Sequence, residues 1–347
     1  RNMANIKDFR NPPPLTHLKR LTTREGLIQH ADMDVPDPSH GYSLDDNARA
    51  IIATLWYYRN YHDEPVLRLL EIYFGYIKRV EKEGGSFHNF LSFTEKILDA
   101  EGSEDSIGRT IWALGEMVKT CPDQAMRNEA RIIFDRASIH HHLEHPHIRT
   151  KAYILLGLLA TEQKEEASRW ADKLVETYKQ NATEDWPWFE NYLSYANAAL
   201  PYALAEAGRI LDDQTYLDVA KESLTWLDSV SRIDGKPAPI GQAGWFFKDG
   251  VKAEYDQQPL DASDMILAFS ALHQATNENQ YLDKALEWVD WYKGNNSQGA
   301  YVISETNNGV YDAVTPGGVN KNQGAESIAT YLMAYLEMSR ISSGSGN

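Results

Sequence analysis

The chain has 347 residues, 42% of them hydrophobic and 24% charged, an ordinary composition for a globular protein with room for a large core. Its formal net charge of −16, from 34 basic and 50 acidic residues, argues against broad attraction to nucleic acid or anionic membrane and suits a neutral partner such as a carbohydrate. The single cysteine, Cys121, excludes an intrachain disulfide and a multi-cysteine zinc site.

No apolar run reaches ~18 residues, so no membrane span is expected. The opening "RNMANIKDFRNPPP" has no apolar core of a signal peptide. With the lone cysteine, this gives a cytoplasmic location as the expectation.

Along the chain, residues 15–22 form a short first helical segment. After it, two kinds of helix alternate. Residues 48–58, 107–118, 152–160, 196–207, 262–275 and 328–338 are apolar nearly all round and rich in small residues, as buried helices are. Residues 66–82, 124–137, 163–179, 216–231 and 281–292 are amphipathic. In the third of these, Ala167, Trp170, Ala171, Leu174, Val175 and Tyr178 keep a spacing of three to four. The order is inner, outer, inner, outer. Residues 15–22 supply the twelfth, outer member, and the expected fold is all-α, an (α/α)6 toroid of six hairpins with a core of about residues 15–340 in one domain.

Connections after inner helices are short (around 61–64, 121–123, 161–162, 211–213 and 276–278). Most connections after outer helices are long (23–44, 83–103, 232–259 and 296–323). In a closed ring this puts the long loops, some with small hairpins, on one face, where long loops are usually functional. "GWFFKDGVKAEYD", with its Asp249-Gly250 turn, reads as such a hairpin. Pro201, read as interior to the helix at 196–207, should kink it or need a compensating gap.

Residues that packing does not explain stand where inner helices begin. They are Asp45 and Asp46 in "YSLDDNAR", Glu104 and Asp105 in "GSEDSIGR", Arg149 in "HPHIRTKA", Glu190 in "WPWFENYLSYANA", Asp261 and Asp264 in "PLDASD", and Glu326 in "NQGAES". Glycoside cleavage normally needs two carboxyl groups flanking the scissile bond, one kept protonated as an acid and one ionised. Crowded carboxylates raise one another's affinity for protons, and helix N-termini oppose this.

The candidate catalytic residues are therefore Asp45, Asp46, Asp105, Glu190 and Glu326. Glu190 stands out because Trp188, Phe189 and Tyr192 flank it, an apolar setting that would favour the protonated form. Sugars also need flat rings and amides. Candidate substrate contacts are His30, Tyr42, Asn47, Arg49, Asn89, Glu104, Arg149, Trp188, Tyr192, Asn197, Trp245, Asp261, Asn322 and Gln323.

The structural alternative is helix capping or local ion pairing: Arg49 one turn beyond Asp45 and Asp46, and Arg109 one turn beyond Glu104 and Asp105. "HHHLEHPH", His140 to His147, reads as solvated rather than metal-binding. Cys121 sits at a short turn away from the mouth, and no metal or cofactor is expected.

The motifs "GLIQHADMDVPDPSHGYSLDDNARA", "GSEDSIGRTIWALGE", "WPWFENYLSYANAALPYAL", "DQQPLDAS" and "GVNKNQGAES" together resemble a microbial (α/α)6-toroid family, found alone or as the C-terminal domain of some glycosyltransferases, within the six-hairpin glycosidase-like group. The resemblance spans roughly residues 15–340. It implies a carbohydrate-active protein, with a glycosyltransferase as a functional partner. Asp261 stands where that motif would carry glutamate.

The expected function is a glycoside hydrolase, inverting, acting on an oligosaccharide or small glycoside, with Glu190 and one of Asp45 and Asp46 as the reacting pair. The alternative is a non-catalytic carbohydrate-binding toroid assisting a glycosyltransferase. The mouth separates the two. Unneutralised carboxylates favour the enzyme, and carboxylates all paired to Arg49, Arg109 and Arg149 favour binding. A sugar epimerase would lean on cavity histidines, for which only His30, His40 and His88 are placed.

Overall fold

The computed structural model describes residues 3–138, 143 and 146–344. Most of the "HHHLEHPH" run and the last three residues of the "SSGSGN" tail lie outside them.

Among the described residues there are twelve α-helices: α1 (Thr16–Leu21), α2 (Leu44–Tyr61), α3 (Val66–Val80), α4 (Glu104–Thr120), α5 (Gln124–Ser138), α6 (Ile148–Ala160), α7 (Lys164–Asn181), α8 (Ala199–Ile210), α9 (Gln214–Val230), α10 (Pro259–Thr276), α11 (Asn279–Tyr292) and α12 (Ala325–Ser342). The even-numbered helices pack in sequence, α2 on α4, α4 on α6, and onward to α12, which returns to α2 and closes the ring. Each odd-numbered helix from α3 to α11 packs outside the inner helix before it. α1, only six residues long, covers α12 with help from a 3-10 turn, Ile6–Phe9.

The inner helices approach closely because their contact residues are small. A Cβ on Gly115 of α4 would fall 2.8–2.9 Å from Gly157 backbone on α6, and one on Gly157 2.9 Å from the Ile111 carbonyl. Outer helices bury only a stripe. On α7 it is Ala167, Trp170, Ala171, Leu174, Val175 and Tyr178.

All strands lie in outer-to-inner connections, so they share the face where inner helices start. They are β1 (Ile28–Asp32), β2 (Val35–Ser43), β3 (Glu81–Lys82), β4 (Ser86–Phe87), β5 (Phe90–Leu91), β6 (Tyr192–Leu193), β7 (Arg232–Ile233), β8 (Lys236–Pro237), β9 (Phe246–Phe247), β10 (Ala313–Thr315) and β11 (Gly318–Asn320). β1 and β2 form a hairpin extended by β5, and β10 pairs with β11.

Two local expectations need correction. The "GWFFKDGVKAEYD" segment turns back on itself, with Gly250 N–H bonded to the Phe247 carbonyl at 2.8 Å and Ala253 N–H to the Trp245 carbonyl at 2.9 Å, but its one strand, β9, pairs with β6. Pro201 does not kink a helix. α8 begins at Ala199, so Pro201 sits in the first turn, where its missing N–H costs no helical bond. None of the described helices is long and apolar enough to cross a membrane.

Candidate functional site at the toroid mouth

The inner helices start on one rim, and the first turns of α2, α4, α10 and α12 are acidic. Capping does not account for this. The caps of α2 and α4 are Ser43 and Ser103, whose hydroxyls accept from Asp46 N and Ser106 N, each at 3.2 Å. That leaves Asp45, Asp46, Glu104 and Asp105 one to three residues inside their helices.

The shortest arginine contacts run across helices, and Arg49 also reaches along its own helix to Asp46. Arg109 of α4 binds Asp45 of α2 at 2.7 Å, and Ser106 Oγ donates to the other Asp45 oxygen at 2.9 Å. Arg49 of α2 lies 3.3 Å from Glu326 of α12 and 3.8 Å from Asp46. Arg149, a buried cation in the first turn of α6 where the helix dipole disfavours it, is held by Glu190 at 3.0 Å, the Tyr195 carbonyl at 2.6 Å and Asn197 Oδ1 at 3.0 Å. Glu190 therefore meets a guanidinium. Trp188 and Phe189, expected to shield it, are turned fully into the core. Asp105 accepts from Thr150 Oγ1 at 2.7 Å and from the Tyr195 hydroxyl.

Neighbouring acids are driven apart in proton affinity. Burial pushes Asp45 up, but Arg109 and Arg49 outweigh it and hold the group below the usual carboxylate range. Burial pushes Asp46 up to about 7, with Glu326 and Asp45 adding to it against Arg49 and a 2.6 Å bond from Ser43 Oγ. Asp261 is also raised, by burial and by Asp264, although it accepts from Ala196 N at 2.7 Å. Burial lifts Asp264 to about 7 against Arg49 and Arg109.

Asp264, singled out in the sequence beside Asp261 but given no catalytic or contact role there, is placed deepest of the candidates. It lies one turn below Asp261 and lines a cavity of about 20 Å3 with Arg49, Arg109, Tyr153 and Thr330. Five of the six inner helices contribute to this cavity, which places it on the ring axis. The signal available in the sequence was the i, i+3 spacing of Asp261 and Asp264, which puts both on one helix face.

Among the other candidates, Glu326 is open at the rim, with its side chain 43% exposed against 23% for Asp45, 14% for Glu190 and 5% for Asp46. Glu104 faces solvent, with His147 3.7 Å away. Tyr192 and Trp245 stack at 6.3 Å across β6 and β9 and keep partly open ring faces. His30 and His40 meet edge to face at 4.8 Å on the β1–β2 hairpin, and burial and His40 lower the proton affinity of His30.

Several expected contacts are instead framework. Tyr42 is fully buried and bonds Thr23 at 2.7 Å. Asn47 accepts from Leu27 N, Asn89 from Leu44 N, and Asn197 from Ser194 N as well as Arg149. Asn322 accepts from Met33 N at 2.8 Å, and Gln323 N donates to the Met33 carbonyl, tying the last loop to the hairpin. Trp188 has no exposed surface to offer a sugar ring. Among the described residues no three His, Cys, Asp or Glu side chains gather as a metal site. Cys121, buried at the far end of α4, stands apart from the mouth.

No protein-family model matches the chain, and no curated protein sequence matches it. Solved structures do. A sugar epimerase from a ruminal bacterium is 13% identical, covers 98% of each chain and superposes with a TM-score of 0.75. Cellobiose 2-epimerase from Bacillus thermoamylovorans is 12% identical, over 96% of this chain and 98% of that one, with a TM-score of 0.75. The GH76 α-mannanase of Bacteroides thetaiotaomicron is 12% identical, over 99% and 96%, with a TM-score of 0.64. The chain thus has the fold of the six-hairpin, glycosidase-like (α/α)6 toroids.

Proposed function

We propose that the protein is a carbohydrate-active enzyme of the glycoside hydrolase type. One observation carries this reading: adjacent carboxyls at the mouth, Asp45 and Asp46, are pushed in opposite directions, one toward the anion and one up to about 7. Driving neighbouring carboxyls apart in this way is how a site keeps one of them protonated, as an acid, beside ionised neighbours. Asp46 is the proton donor, and Glu326, open to the mouth and sharing Arg49 with Asp46, is the carboxylate that activates water for an inverting displacement. Asp45 with Arg109, and Glu190 with Arg149, are fixed ion pairs that orient sugar hydroxyls. This moves Glu190 from reacting group to positioning residue.

Sugar epimerases share the fold, and at this mouth the nearest imidazole to the proposed base is that of His30 on the β1–β2 hairpin, which feels the charge of Glu326. The one histidine within the described inner helices is His273, in the last turn of α10 at the opposite end. A second reading, a non-catalytic sugar-binding toroid partnering a glycosyltransferase, is favoured by the arginine pairing of Asp45, Glu190 and Glu326.

A panel of α- and β-linked disaccharides, with NMR to identify the anomer released, separates the readings. Cleavage with inversion, cut by at least ~100-fold in both Asp46→Asn and Glu326→Gln, supports the hydrolase. Saturable binding without turnover supports the binding toroid. Uptake of solvent deuterium at a sugar carbon would support the epimerase and sink the hydrolase. Full activity in both variants on a substrate that is turned over would remove these residues from the chemistry.

A further inference from the structure

The ring axis is blind. Below the rim, the next turn of the inner helices presents Arg49, Arg109, Tyr153, Asp264 and Thr330. One turn further down, Ile52, Trp112 and Met333 close it, all at most 6% exposed. Trp112 stacks on Tyr153 above it at 6.0 Å. It also meets Trp56 and Tyr202 at 6.5 and 6.0 Å, and those two rings line a separate cavity at the far end. Anything entering from the mouth stops at Asp264.

The space there, about 20 Å3, holds one water-sized group and no sugar ring. Its polar demand is unmet. Asp264 Oδ2 is sealed from solvent and has no hydrogen-bond partner, while Asp45 and Asp46 above it are both bonded. A buried carboxyl oxygen without a donor is costly, and in a native structure it marks a place where something binds.

We propose that this niche takes a single hydroxyl of a neutral sugar whose ring rests above it among the rim acids, and that Asp264 is the specificity-determining residue that accepts its proton. This rests on the mouth being a sugar site, but not on bond cleavage. The hydroxyl donates to the Asp264 carboxyl and accepts from the arginine side of the niche. A deoxy analogue leaves that carboxyl without its donor. A sugar carboxylate is too large for the space and would meet the rim acids Asp46 and Glu326. The niche therefore selects a hydroxylated sugar over its deoxy and uronate counterparts.

The test measures binding alone. Glucose, mannose and galactose, their singly deoxygenated analogues and the matching uronic acids are titrated against the intact protein by ligand-observed NMR. For a hexose that binds, one deoxy position should cost the wild type on the order of tenfold or more in affinity. Asp264→Ala should collapse that ratio to within about twofold. Asp264→Asn, which keeps shape and an acceptor oxygen, should retain part of it, with thermal melts confirming both variants folded. The inference is overturned if no hexose binds, if no deoxy position matters, or if Asp264→Ala keeps the ratio. Discrimination through Asp264 with no glycoside ever cleaved would uphold the niche and reject the hydrolase. Cleavage with no role for Asp264 would do the reverse.

Discussion

The two ends of the toroid hold buried acids in opposite ways. At the far end, Glu337 of α12 is clasped by Arg59 at 2.9 Å and Arg340 at 2.9 Å. Burial alone would raise it, but the two guanidiniums outweigh that and bring it down to about 2. At the mouth, one arginine, Arg49, is shared between Glu326 at 3.3 Å and Asp46 at 3.8 Å, and Asp46 rises to about 7. The same residue types at similar depth thus give a closed ion pair at one end and an unsettled acid at the other. Ion pairs with complete partners hold a structure together, whereas groups left short of partners are what a site uses on its substrate.

The sharpest way to break this contrast is to remove the acids and follow stability. Glu337→Ala strands two arginines and should cost about 3 kcal/mol or more, read as a lower urea midpoint, while the rate per folded molecule is kept. Next in size, Asp46→Asn should abolish hydrolysis yet stabilise the protein by on the order of 1 kcal/mol at pH 8, because the amide never has to ionise in a buried site.

The pH dependences should run in opposite senses. Glu337, lowered in the folded state, contributes stability that is present above its unfolded value of ~4.5 and lost as pH falls through about 2. The deficit of Glu337→Gln should therefore vanish in strong acid. Asp46, raised in the folded state, carries no penalty below ~4. Its penalty grows as pH rises through about 7, so the surplus of Asp46→Asn should appear between those values. Denaturant curves from pH 3 to 8 on both variants check the pair, and equal slopes would erase the distinction. The smallest effect is expected for Glu165→Gln. Its contact with Arg169 is at the surface, 91% exposed on the acid side, and the change should stay within ~0.5 kcal/mol in the same assay.

The ring itself was legible in the sequence. An all-round apolar helix and a striped one cannot exchange places, so their alternation forced inner and outer layers, and loop lengths told which face carries the loops. The helix starts were legible too, because Asp and Glu before an apolar run have few other reasons to be there. Partner choice was legible only in part. Local spacing suggested Arg49 with Asp45 or Asp46, and Arg109 with Glu104 or Asp105. In the ring Arg109 reaches sideways to Asp45, and Arg49 meets Asp46 as its spacing suggested but comes closer to Glu326, because side chains one turn inside the rim lie beside the first turn of the next helix.

The aromatics misled for a related reason. Tyr42 and Trp188 beside charged residues look like sugar platforms, but an aromatic ring next to a carboxylate in sequence can turn its face either way, and these two turn inward. Asp264 was noticed beside Asp261 but its role was not, because the sequence does not say which face of an all-apolar helix looks down the axis.

The most direct measurement is a carbon-13 NMR titration of side-chain carboxyls, with Asp46 assigned by its loss in Asp46→Asn. The account predicts an Asp46 midpoint near 7, with Asp45 ionised throughout. A midpoint at or below ~4 would make Asp46 an ordinary ionised carboxylate and contradict the claim that the mouth keeps a protonated acid ready.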